Sequence, residues 1–248
     1  MKRILFTLVV CIGTLLSLPS AALVDDFSFL QEIPAFVQFV QAVRDEGDVQ
    51  KGEELRIKLL QSLAEGQQRS VLSVRTATLL GRLYTEIEPK NLIRSKELLK
   101  EAEQDLPALQ KNSYFALILE AEIDSIYYLI NPKSLGKGIS SNAKIKEAYK
   151  LYPQQVYAQL MKASSLLYAP SIAGGDVNKA LQIYLMLLNE AKPVLSRWDT
   201  ASLYSSIGVV SMKRKEWATA KGYLEAAKSL YHFDPTLDTY LKEVQAHL

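Results

Sequence analysis

The sequence predicts an all-α chain built from consecutive antiparallel helix pairs, and three observations carry that prediction. Apolar residues recur at i, i+3, i+4 and i+7 in segment after segment, with little strict alternation. The prolines Pro34, Pro89, Pro107, Pro132, Pro153, Pro170, Pro193 and Pro235 fall mostly between those segments, where a missing N–H costs nothing. Small residues return at long, similar intervals: Gly81, Ala121, Ala163 and Gly208 are 40, 42 and 45 residues apart.

The first element, residues 1–22, reads as an export leader. Lys2 and Arg3 form a positive start, Ile4 to Leu18 an apolar run of about fifteen residues, and Ser20-Ala21-Ala22 a small-residue site for cleavage after Ala22. The run is short of the roughly 20 residues that a spanning helix needs. A cleaved leader implies a periplasmic protein; a retained one implies an N-terminal anchor in the inner membrane. Leu8-Val9-Val10-Cys11 makes a poor lipoprotein signal, because Val10 is not small. Cys11 is the only cysteine, so cleavage leaves no thiol.

Helices are predicted over 28–45, 48–65, 70–87, 90–105, 108–130, 140–151, 154–168, 177–191, 197–213, 216–231 and 236–247. Asp176, after Gly174-Gly175, reads as an N-cap, and Ser70, Ser140 and Ser196 read as further helix starts. Gly136-Lys137-Gly138 reads as a flexible loop. Residues 23–69 form an N-terminal helical cap, 70–235 the repeated part, and 236–248 a C-terminal capping helix.

The repeats are in phase. With Ala201 as position 1, Tyr204, Ile207, Gly208, Ala220, Leu224 and Ala227 occupy positions 4, 7, 8, 20, 24 and 27. Ala77, Leu80, Gly81, Tyr84, Ser95, Leu99 and Ala102 repeat the pattern after a two-residue insertion. Weaker copies begin at Tyr114 and Val156. Small side chains at 8, 20 and 27 let helices approach, and large ones at 4, 7 and 24 fill the space between them. This pattern resembles the tetratricopeptide repeat, which implies a right-handed superhelical solenoid with a concave groove lined by the first helix of each pair. Ser211 departs from it at position 11, where a large residue is usual, and the spacing exceeds that family's 34 residues. The stretch 153–181 is similar to a form seen in exported bacterial tetratricopeptide proteins, among them subunits of TRAP-type periplasmic uptake systems.

The resemblance implies which residues face the groove: Arg75, Thr78 and Arg82; Phe115, Ile118 and Glu122; Tyr157, Leu160, Ser164, Leu167 and Tyr168; and Met212. The middle is apolar and aromatic, with arginines at one end. The alternative placement buries these residues against the N-terminal helices or a capping helix. The lysine, asparagine and arginine clamp by which some tetratricopeptide domains hold C-terminal carboxylates is not matched.

Other function classes find little support. Leaving out Lys2 and Arg3 balances Lys plus Arg against Asp plus Glu at 27 each, which offers little to a phosphate backbone. His232 and His247 lack neighbours at metal-ligand spacing. No nucleophile elbow or phosphate loop is present. Glu120 and Asp124 share a helix face, and acid–base work there would need burial and unequal pKa values. The expectation is a non-enzymatic scaffold, without cofactor or metal, that binds another protein or peptide of the cell envelope. The alternative is a small apolar-ligand-binding accessory of a solute-uptake system.

Overall fold

A computed structural model describes residues 22–24, 27–191, 194–231 and 234–248. The leader reading falls on residues 1–21, outside the described residues, as do Pro193 and His232. Eleven α-helices follow one another among the described residues. They are α1 (Pro34–Val40), α2 (Val49–Gln61), α3 (Gln67–Glu86), α4 (Leu92–Asp105), α5 (Tyr114–Ile130) and α6 (Leu135–Leu151). The series continues with α7 (Val156–Tyr168), α8 (Val177–Glu190), α9 (Arg197–Lys213), α10 (Trp217–Leu230) and α11 (Pro235–Gln245). The extended pairing among them is a single parallel bridge, Val24 to Gln155, so the fold is all-α. No described helix is long and apolar enough to cross a membrane.

Local chemistry explains most boundaries. The side chains of Asp48, Asn91, Ser113 and Asp176 each accept from the backbone amide three residues on, satisfying a free N–H at a helix start. Ser196 and Asp199 form a reciprocal capping box at α9. The helix predicted at 28–45 is interrupted. A 3-10 turn over Ser28–Glu32 ends at Ile33 (φ −101°, ψ 102°), α1 follows, and Gln41–Asp45 is π-helical. Pro34 is the cause, since the residue before a proline is pushed out of the α region. Ser70 and Ser140, read as helix starts, lie inside α3 and α6. The first follows Gly66, whose φ of 147° ends the preceding loop.

The Gly136-Lys137-Gly138 reading as a loop is also corrected, because all three belong to α6. Gly138 serves packing there: a Cβ on it would lie 3.2 Å from Tyr128 Cδ2 on α5.

Helices pack chiefly on their neighbours in sequence, α3 on α4, α5 on α6, α7 on α8 and α9 on α10, with α3–α5, α6–α7 and α8–α9 joining successive pairs. The small residues sit in the seams of the pairs. Ser95 Oγ donates to the Gly81 carbonyl at 2.7 Å, and Ser141 Oγ to the Ala121 carbonyl at 2.8 Å. Ala163 and Ala180 are fully buried, and a Cβ on Gly208 would lie 2.8 Å from Leu224 Cγ.

Candidate functional site

Three of the first helices bring predicted face residues together. Arg75 on α3 donates through Nη1 to Glu122 on α5 and, at 2.9 Å, to the Tyr157 hydroxyl on α7. The Tyr157 hydroxyl donates to Glu122, as does Thr78 at 3.2 Å. Burial acts to lower the Arg75 pKa, but Glu122 and Tyr157 outweigh it and the net shift is upward. Arg75 is therefore a fixed cation with a fixed counter-charge.

The N-terminal arm lies across this group. Phe27 packs edge-on to Phe115 and Tyr157, with ring centroids 5.2 and 5.5 Å away. The Arg75 guanidinium is 5.3 Å from the Phe27 ring centre, 4.6 Å from Tyr157 and 5.1 Å from Trp198 at the start of α9. Arg44, from the π-helical turn, stacks on Trp198 at 4.5 Å and pairs with Glu86 at 3.5 Å. Phe27, Tyr157 and Trp198 thus each lie against an arginine.

Between the arm, α3, α7 and the start of α9 is a cavity of about 270 Å³. Phe36, Val40, Tyr157, Trp198 and Tyr231 form much of its wall, and Asp45, Arg75, Arg197 and Asp199 bring charge to it. Arg197 reaches Asp45 Oδ2 at 3.8 Å, an ion pair too long for a hydrogen bond. Among the described residues Asp45 Oδ1 is buried with no hydrogen-bond partner, and so are Arg44 Nε and Nη2. Asp199 accepts from the Ser196 hydroxyl at 2.6 Å and the Ser196 amide at 3.3 Å. Burial pushes its carboxyl above the ordinary value, and Ser196 and Arg75 only partly oppose that.

The remaining predicted face residues divide. Ile118, Leu160, Leu167 and Met212 are buried in hydrophobic clusters, so they are not open to a ligand. Their helices bury a wider stripe than one facing position per turn allows. Phe115 is partly buried beneath Phe27, and Ser164 hydrogen-bonds Tyr184 at 3.1 Å. Arg82 and Tyr168 are exposed, Arg82 paired with Glu86 on its own helix. Asp45, Trp198, Asp199 and Tyr231 were not among the predicted face residues. The one local signal was Trp198 beside an N-cap serine.

Glu120 and Asp124 form part of an ion cluster. Burial disfavours ionised Asp124, but hydrogen bonds from Lys137, Lys144 and Ser140, each 2.7 Å, more than offset it and lower its pKa. A general acid requires the opposite shift. His247 stacks on Trp217 with ring centroids 4.1 Å apart. Among the described residues no group of three or more His, Cys, Asp or Glu could hold a metal ion. No protein-family model, curated protein or solved structure matches the chain.

Proposed function

We propose that this chain is a non-enzymatic binding protein, a tetratricopeptide-like stack of hairpins exported to the periplasm, whose groove takes a small ligand with an apolar body. One observation carries the choice of ligand. The N-terminal arm seats Phe27 against Phe115, Tyr157 and Arg75, beside a half-open pocket of about 270 Å³. That volume is just under the roughly 300–1,000 Å³ usual for drug-sized ligands, and an extended peptide or partner helix needs far more room. Aromatic walls supply apolar contact, and the few polar groups set orientation.

Trp198 reports occupancy directly. With Trp217→Phe it is the chain's sole tryptophan. Titration with 2-phenylethanol, a neutral aromatic probe, should change its fluorescence saturably, and Val40→Trp, which fills the cavity, should abolish binding as read by calorimetry. No binding by the unfilled chain contradicts the reading.

A protein or peptide partner of the cell envelope is the second reading. Exposed Arg82 and Tyr168 favour it, because both belong to the predicted face and neither is covered. A photo-crosslinker at position 168 that captures one defined envelope protein in cells supports it.

A further inference from the structure

We propose that the tips of two neighbouring hairpins, α5–α6 and α7–α8, dock on the surface of an anionic phospholipid bilayer, with Ile139 and Ile172 entering the headgroup layer and lysines facing the phosphates. The proposal does not depend on what the cavity binds.

The placement of exposed apolar side chains leads there. Ile172, Ile93 and Ile139 are the three most exposed large apolar residues among the described ones, at 97%, 74% and 70%. They stand at three successive hairpin tips: Ile93 and Ile139 near the starts of α4 and α6, and Ile172 just before α8. Ile93 and Ile139 are equivalent, each two residues before the serine, Ser95 or Ser141, that bonds the facing carbonyl of its pair. Leu135 and Leu129 add to the exposed surface of the α5–α6 tip. The tips of α5–α6 and α7–α8 adjoin, because Ser165 Oγ donates to Asn142 Oδ1 at 2.6 Å, and Ile139 and Ile172 both lie on the tip side of that bond.

The α7–α8 tip is fixed while it displays its isoleucine. Ser171–Ala173 is a 3-10 turn, the Gly174 amide donates to the Ser171 carbonyl at 3.0 Å, the Gly175 amide to that of Pro170 at 3.0 Å, and the Asp176 amide to that of Leu166 at 2.9 Å. Gly174 is left-handed (φ 87°), and a Cβ on Gly175 would collide with the Ala169 carbonyl oxygen. A protruding aliphatic residue on a fixed turn suits shallow insertion into lipid, which asks for no matching pocket.

Charge selects the lipid. Around the α5–α6 tip, Lys137 and Lys144 are matched with Asp124 and Glu103, and Glu120 is a further partner of Lys144. Outside that cluster are Lys133, Lys146, Lys162 and Lys179 against Asp176 and Glu147, and none of the four lysines makes an ion pair among the described residues. The whole set closes with one positive charge in excess, and the unengaged members are chiefly lysines, since Asp124 is buried and Asp176 caps α8. Side chains on a helix lean toward its N-terminus, so Lys146 on α6 and Lys179 on α8 lean toward the tips. The next tip, α9–α10, adds Lys213, Arg214 and Lys215 against Glu216.

Dye-labelled single cysteines test this. Cys11→Ser leaves the full chain without cysteine, and Ile139→Cys, Ile172→Cys and, in the α4–α5 turn at the other end of the helices, Lys111→Cys then carry an environment-sensitive fluorophore. With vesicles of phosphatidylglycerol and phosphatidylcholine in equal parts, emission should shift to the blue at 139 and 172 and stay unchanged at 111. Lys133→Ala should weaken partition about fivefold, the share of one lysine at an anionic surface, and phosphatidylcholine alone should weaken it by at least that factor. No shift at 139 and 172, an equal shift at 111, or partition indifferent to phosphatidylglycerol overturns the proposal. So does a photo-crosslinker at 172 that captures one defined protein in cells while the labelled chain ignores vesicles, because a protein then covers the tips. The 2-phenylethanol titration reads the cavity separately, so either reading fails without the other.

Discussion

Asp124, in the α5–α6 pair, and Asp199, at the start of α9, are both carboxylates drawn out of water at helix contacts, yet their acidities move in opposite directions. The difference lies in what faces them. Asp124 receives two lysines and a serine hydroxyl, all at 2.7 Å. Asp199 receives one serine, from its own helix cap. The first region is electrostatically complete and holds α5 against α6. The second is incomplete and borders the cavity. A carboxylate with all its donors reads as structure, and one lacking them marks a place where a ligand can supply what the fold does not.

The largest expected effect comes from breaking the most complete pair. Arg75→Met leaves Glu122 buried without its counter-charge and should cost about 3–5 kcal/mol in denaturant unfolding. Asp124→Ala should cost less, about 1.5–3 kcal/mol, because Lys137 and Lys144 keep partial access to water. Its pH signature sharpens the comparison. The folded pKa of Asp124 lies below its ordinary 3.8, so its stabilisation is full above that value and lost as pH falls through the lowered one. The wild type should therefore lose stability relative to Asp124→Ala on acidification.

The smallest effects separate two seam glycines. A Cβ at 208 meets Leu224 Cγ at 2.8 Å, and Leu224 is fully buried, so overpacking of about 1–3 kcal/mol should outweigh the helix preference of alanine in Gly208→Ala. At Gly81 the nearest atom is 3.5 Å away, so Gly81→Ala should keep that preference, up to about 1 kcal/mol of gain. Equal melting shifts of the same sign at both sites would contradict this difference.

Periodicity made most helices legible, because each buries one face and ends at a proline, glycine or capping side chain. The seam residues were legible for a related reason: close approach demands a small side chain wherever it occurs, as at Gly81 and Gly208. Gly138 misled because a glycine chosen for closeness to Tyr128 carries the same letter as one chosen for a loop. Repeat phase brought out Arg75, Thr78, Glu122 and Tyr157, which do meet. It could not bring out Asp45, Trp198 and Tyr231. The arm brings those together across a large separation in sequence, and no local period records that contact. Leu160 and Leu167 show the converse, face positions by phase that the neighbouring helices bury.

The most direct test is a carboxyl-carbon NMR titration of Asp124 and Asp199 in one sample. The account predicts Asp124 below 3.8 and Asp199 above 3.8. An Asp199 that titrates below 3.8, or an Asp124 that titrates above it, would contradict it.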